Sequence, residues 1–172
     1  MQDESKPLIN RVAESGLITL NLEDFYPKNE TVVFDLKDYL FRGLILREKD
    51  FREALAAIDW AQFAGKNVAL YCSTDAIIPL WAFQLVAINI APYASLLVCG
   101  KPEALLLLHY VQTLGKLDLQ QFADKRVVVK GCGEKPVPAA AYTEIARLLQ
   151  PVVKSLMYGE PCSTVPLYKR KP

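Results

Sequence analysis

The chain has 172 residues, of which 52% are apolar and 23% charged, a composition that suits one globular domain with a substantial core and is too short for two ordinary domains. Twenty basic against nineteen acidic residues leave a formal charge of +1, so no global field draws the protein to nucleic acid or an anionic membrane, and neither partner is expected. The acidic opening residues lead into no apolar export segment, and no run approaches the roughly eighteen apolar residues of a membrane helix, which points to a cytoplasmic protein.

In chain order, residues 8–14 fit a short amphipathic helix stopped by Gly16, and 17–22 and 31–36 read as two strands separated by a turn-rich stretch. This N-terminal strand pair suits an antiparallel hairpin. A further strand is expected at 43–46. From Asp50, a plausible N-cap, Phe51, Leu55, Ile58 and Trp60 lie on one helical stripe.

From residue 59 onward the chain repeats itself. Asp59-Trp-Ala-Gln-Phe-Ala-Gly-Lys66 matches Asp118-Leu-Gln-Gln-Phe-Ala-Asp-Lys125, and at the same offset Val68 matches Val127, Pro79 matches Pro138 and Gly100-Lys-Pro102 matches Gly159-Glu-Pro161. Segments 59–102 and 118–161 thus read as one strand-helix-strand unit occurring twice. Strands at 67–72, 95–99, 126–130 and 155–158 alternate with helices at 80–90, 103–114 and 139–149. Each crossover is long enough to return the chain, so the expected fold class is α/β. It is a single domain over residues 1–172, with a layered, mostly parallel sheet, right-handed helical crossovers and the N-terminal strand pair. Helix 80–90 is almost wholly apolar and should be buried on more than one side or lie in a homo-oligomeric interface. The basic tail, 168–172, reads as a frayed, solvated end.

No export signal accompanies the four cysteines, so they read as reduced thiols, metal ligands or a reactive centre rather than disulfides. Cys72, Cys99, Cys132 and Cys162 all fall at the carboxyl ends of the expected strands, the edge at which open parallel sheets bind ligands. Cys72, Cys132 and Cys162 lie in polar or Pro-bounded turns, whereas Cys99, in Leu-Leu-Val-Cys-Gly, is expected to be a buried apolar residue. Three thiolates with Asp75, Glu134 or a water as fourth ligand suit Zn²⁺ or Fe²⁺. The expected metal set is therefore Cys72, Cys132, Cys162 and Asp75, although no Cys-x-x-Cys pair fixes two ligands locally. Alternatively, Cys72 or Cys132, each ahead of a helix, is a single activated thiol, with Lys130 and Lys135 flanking Cys132.

The only histidine, His109, lies on an apolar helix and reads as a packing residue. The chain has neither a G-x-G-x-x-G nor a P-loop pattern, so no nucleotide cofactor is expected. Glu23, Asp24, Asp35 and Asp38 form an acidic set near the first two strands that reads as a solvated edge and turn.

Several segments resemble the uncharacterised bacterial Domain of Unknown Function 2480 family. They are Ser15-Gly-Leu-Ile-Thr-Leu-Asn-Leu-Glu-Asp-Phe-Tyr-Pro27, Leu44-Ile-Leu-Arg-Glu-Lys-Asp-Phe-Arg52, Cys72-Ser-Thr-Asp-Ala-Ile-Ile-Pro79, Lys130-Gly-Cys132 with Lys135-Pro-Val-Pro138, and the stretch from Leu149 to Pro166. The resemblance covers nearly the whole chain, places Cys72, Cys132 and Cys162 inside family-like motifs, and implies no particular activity. Three functions fit the residues: zinc or iron binding through the loop cysteines, a non-catalytic ligand-binding or homo-oligomeric interaction module, and an activated-thiol enzyme.

Overall fold

Among residues 16–131 and 133–171, which the computed structural model describes, seven strands and four α-helices form two mostly parallel sheets. The strands are β1 (Leu17–Asn21), β2 (Thr31–Asp35), β3 (Asn67–Tyr71), β4 (Leu96–Cys99), β5 (Arg126–Lys130), β6 (Ser155–Glu160) and β7 (Ser163–Lys169). The helices are α1 (Glu48–Ala56), α2 (Leu80–Ile90), α3 (Pro102–Leu114) and α4 (Ala139–Leu149). One sheet has the order β2-β3-β4 and the other β1-β5-β6-β7.

The inner strands β3 and β5 are the continuous apolar runs. Val68, Ala69 and Leu70 in one, and Val127, Val128 and Val129 in the other, are all buried, as strands covered on both faces require. After each of these strands the chain passes a proline, Pro79 or Pro138, at the N-cap of the crossover helix. α2 then joins β3 to its parallel neighbour β4, and α4 joins β5 to its parallel neighbour β6.

The chain divides into two compact units. One is residues 27–110, with the three-stranded sheet and a core that includes Phe34, Leu36, Phe51, Val68, Leu70, Val86 and Ile90. The other, described over 16–26, 111–131 and 133–171, carries the four-stranded sheet and buries Leu22, Phe122, Ile145, Leu149 and Leu156 among others.

Segments 59–102 and 118–161 carry the same order of elements. In each an aspartate, Asp59 or Asp118, caps a 3-10 turn by accepting the N–H two residues on at 3.0 Å, and a strand, a helix and a strand follow. Gly65 and Asp124, which correspond in the sequence match, both have positive φ, 70° and 56°. Glycine adopts this conformation freely, and aspartate is among the few other residues that tolerate it.

Several expectations change. The two N-terminal strands form, but as no hairpin: β1 runs parallel to β5 and β2 parallel to β3. The stretch between them holds a 3-10 turn, Leu22–Phe25, and Pro27, so it connects two sheets instead of closing a tight turn. No strand forms at 43–46, because Arg42 and Gly43 both adopt positive φ, 50° and 72°, leaving only a Phe41–Ile45 bridge. α1 starts after Arg47, with Asp50 in its first turn hydrogen-bonded to the Arg47 guanidinium, and ends before Trp60, which belongs to the turn capped by Asp59.

Tyr168 and Lys169 belong to a strand where fraying was expected. β7 runs antiparallel to β6 along the sheet edge, where Pro166 is tolerated near a bulge, and the Arg170 guanidinium binds Asp124 and the carbonyls of Pro151 and Val152. α2 buries one side, Ala82, Val86 and Ile90, while Leu80 and Ile88 are exposed. The helix expected at 8–14 lies outside the described residues. Among those residues no helix is long and apolar enough to cross a membrane.

Candidate functional site

At the carboxyl-terminal edge of one sheet the Glu23 side chain accepts three hydrogen bonds, and its position follows from the strand before it. Leu22 is fully buried, an anchor worth about 1.5–3 kcal/mol, and Asn21 caps the 3-10 turn by accepting the Glu23 N–H at 3.2 Å. Asn21 is also the register partner of Lys130, so the turn following β1 lies beside the turn following β5.

That second turn opens at Gly131. A Cβ there would lie 2.7 Å from the Tyr142 hydroxyl and 3.1 Å from the Leu22 Cβ, so the close passage requires glycine. The N–H groups of Gly133, Glu134 and Lys135 then converge on the Glu23 carboxylate. Gly133 donates to Oε1, and Glu134 and Lys135 donate to Oε2 at 3.1 and 3.3 Å. Successive amides arranged in this way form a concavity suited to an anion. A Cβ on residue 133 would sit 2.5 Å from Oε1, so glycine also sets how closely the carboxylate approaches.

The hydrogen bond from Gly133 is the main reason that Glu23 titrates below the ordinary carboxylate value. Partial burial opposes it, and the Lys135 and Glu134 amides and the Lys135 charge add to it. The Lys135 ammonium lies 5.8 Å from the centre of the Tyr26 ring, and Lys130 pairs with Glu160 at 3.3 Å.

At the corresponding edge of the other sheet, Asp35 ends β2 with its side chain only 11% exposed. Its Oδ1 accepts the N–H groups of Lys37 and Ser73, both at 3.0 Å, and its Oδ2 lies 3.5 Å from the Lys37 ammonium. Burial pushes the Asp35 carboxyl up, but the hydrogen bonds from Ser73 and Lys37 and the Lys37 charge outweigh it and hold the group below its usual range.

The expected metal residues divide between the units. Cys72 and Asp75 follow β3 in the unit of 27–110, Cys162 lies in the β6–β7 turn of the other, and Cys132 falls outside the described residues. Cys72 is partly buried against the core of its unit, with Sγ 3.3 Å from the Thr74 hydroxyl oxygen, and Cys162 is exposed. Among the described residues no three His, Cys, Asp or Glu side chains come together as a metal-ligand set. Cys99, expected to be buried, is exposed, because it is the last residue of the edge strand β4. His109 is half-buried on α3, edge-on to Tyr110 with ring centres 6.1 Å apart.

Sequence reasoning passed over Glu23 and Asp35 as solvated acids. A signal was present: Asn21-Leu-Glu-Asp-Phe25 and Asp35-Leu-Lys-Asp-Tyr39 share one pattern, a capping residue, a leucine that becomes fully buried, a variable charge, an aspartate and an aromatic.

The family profile described as "Protein of unknown function (DUF2480)" matches residues 6–170. The chain belongs to the DUF2480 family. No curated protein and no solved structure matches it. The DUF2480 match spans both sheets and both carboxyl-edge turns, in agreement with the resemblance read from the motifs.

Proposed function

We propose that the protein is a non-catalytic binding module for a small carboxylate-bearing ligand, received by the amide turn at 133–135 ahead of α4. One observation carries this reading: three successive backbone N–H groups close on a carboxylate, that of Glu23. Glu23 then acts as a built-in placeholder. Tethered two residues beyond its cap, it is present at an effective concentration in roughly the millimolar range or above, so a free carboxylate must compete with it. The turn follows β5 and precedes a helix, the edge of a parallel sheet at which ligands gather, and Lys135 adds a nearby cation.

Titration of the full-length Glu23→Ala variant with acetate and then succinate, followed by amide NMR, tests the reading. Saturable downfield shifts at Gly133, Glu134 and Lys135 are expected, at least roughly tenfold stronger in affinity than in the wild type, and weakened when Gly133→Ala is added. Amides that do not respond in the Glu23→Ala protein would show that the turn is a structural tie alone.

A further inference from the structure

Behind the β5 turn the same unit contains a cavity of a different chemistry. It lies between α4 and the strands β5, β6 and β7, has a volume of about 180 Å³, and is walled by Val129, Ile145, Leu156, Leu167 and the rings of Tyr142 and Tyr158. Apolar side chains and tyrosine rings make up this wall. A water needs two to four polar partners, which an apolar lining of this kind does not favour.

Its size is that of a small molecule. Apolar cavities of ~150 Å³ accept benzene or xenon, whereas one water occupies only ~30 Å³ of liquid. The Tyr142 and Tyr158 rings meet edge to face, with centres 5.8 Å apart and planes at 73°, and present aromatic surface to an occupant. Three walls are fixed by the fold: Ile145 and Leu156 are buried and Val129 is 3% exposed. The fourth, Leu167 on the edge strand β7, is 54% exposed and forms the solvent side.

We infer that this cavity is a second binding site, taking a small apolar molecule of the size of a single aromatic ring. The inference does not depend on the amide turn, because the cavity lining includes none of residues 23 and 133–135.

The test uses the full chain, with benzene and indole as probes, read by the methyl resonances of Ile145, Leu156 and Leu167 and by the melting temperature. Saturable shifts confined to the methyls that line the cavity, with a melting temperature that rises with probe concentration, are expected. Ala146→Phe, which places a ring in the cavity from α4, should weaken binding by roughly tenfold or more while leaving the amide resonances of 133–135 in place. Leu167→Trp, made at an exposed position, should weaken it as well and decides the matter if Ala146→Phe does not fold. Absence of saturable shifts up to the solubility limit of both probes, or undiminished affinity in the folded variants, would overturn the inference.

Discussion

The two carboxyl-edge turns of the molecule are faced by side chains of opposite charge, Glu23 and Lys37. Each sheet brings a short strand, β1 or β2, parallel to its inner strand, β5 or β3, and each short strand ends in a capped 3-10 turn anchored by a fully buried leucine, Leu22 or Leu36. Two residues past the cap stands Glu23 in one unit and Lys37 in the other. The glutamate reaches the amides of 133–135, whereas the lysine turns back to its own cap, Asp35, which is bonded to Ser73 of the facing turn. Three amides of the β5 turn thus meet the Glu23 carboxylate, whereas the β3 turn meets the cap Asp35 through Ser73.

The largest effect should come from the tight passage that one turn has and the other lacks. Gly131→Ala forces a Cβ against Tyr142 and the buried Leu22, and should cost about 1–3 kcal/mol in chemical denaturation. Cys72 occupies the corresponding place, and Cys72→Ala should cost less than about 1 kcal/mol, because the partly buried thiol is removed and nothing is crowded. Equal losses in the two variants would erase the distinction between the turns. Next comes Asp35→Ala, which strips a mostly buried cap from two amides and should cost about 1–2 kcal/mol by the same assay.

Glu23→Gln should have a smaller effect with a distinctive pH dependence. The folded pKa of Glu23 lies below its ordinary value of 4.5, so its contribution is fully present above about pH 4.5 and is lost as pH falls through the lower folded value. Thermal melts should therefore show the variant less stable than the wild type at pH 7 and equal to it in strong acid, while the acid sensitivity due to Asp35 remains in both. Smallest in stability but sharpest in logic is Lys37→Glu, which puts a carboxylate at the place corresponding to Glu23. Slower hydrogen exchange at the amides of Thr74 to Ala76 is expected, and unchanged exchange would mean that the β3 turn cannot close in this way.

Much of the fold was legible because apolar runs and prolines mark it directly. α2, α4, β3 and β5 fall within a residue of where Pro79, Pro138 and the Val-rich segments put them. Strand partners were not legible: β1 and β2 are adjacent in sequence, and nothing local tells a strand to prefer a partner such as Arg126–Lys130 over its neighbour. β7 was not expected from the sequence; it carries Pro166, which an edge strand tolerates. The candidate site was half legible. The turns after β3 and β5 drew notice through their cysteines, but the group that binds one of them is a glutamate more than a hundred residues away, whose partners are backbone amides that no sequence pattern displays.

A ¹³C NMR titration of the Glu23 side-chain carboxyl, recorded alongside the amide protons of Gly133, Glu134 and Lys135, bears most directly on the carboxylate-filled turn. The predicted result is a midpoint below 4.5, with the amide protons moving upfield through the same midpoint as the carboxylate is protonated and their hydrogen bonds weaken. A midpoint at or above 4.5, with amides indifferent to it, would contradict the account.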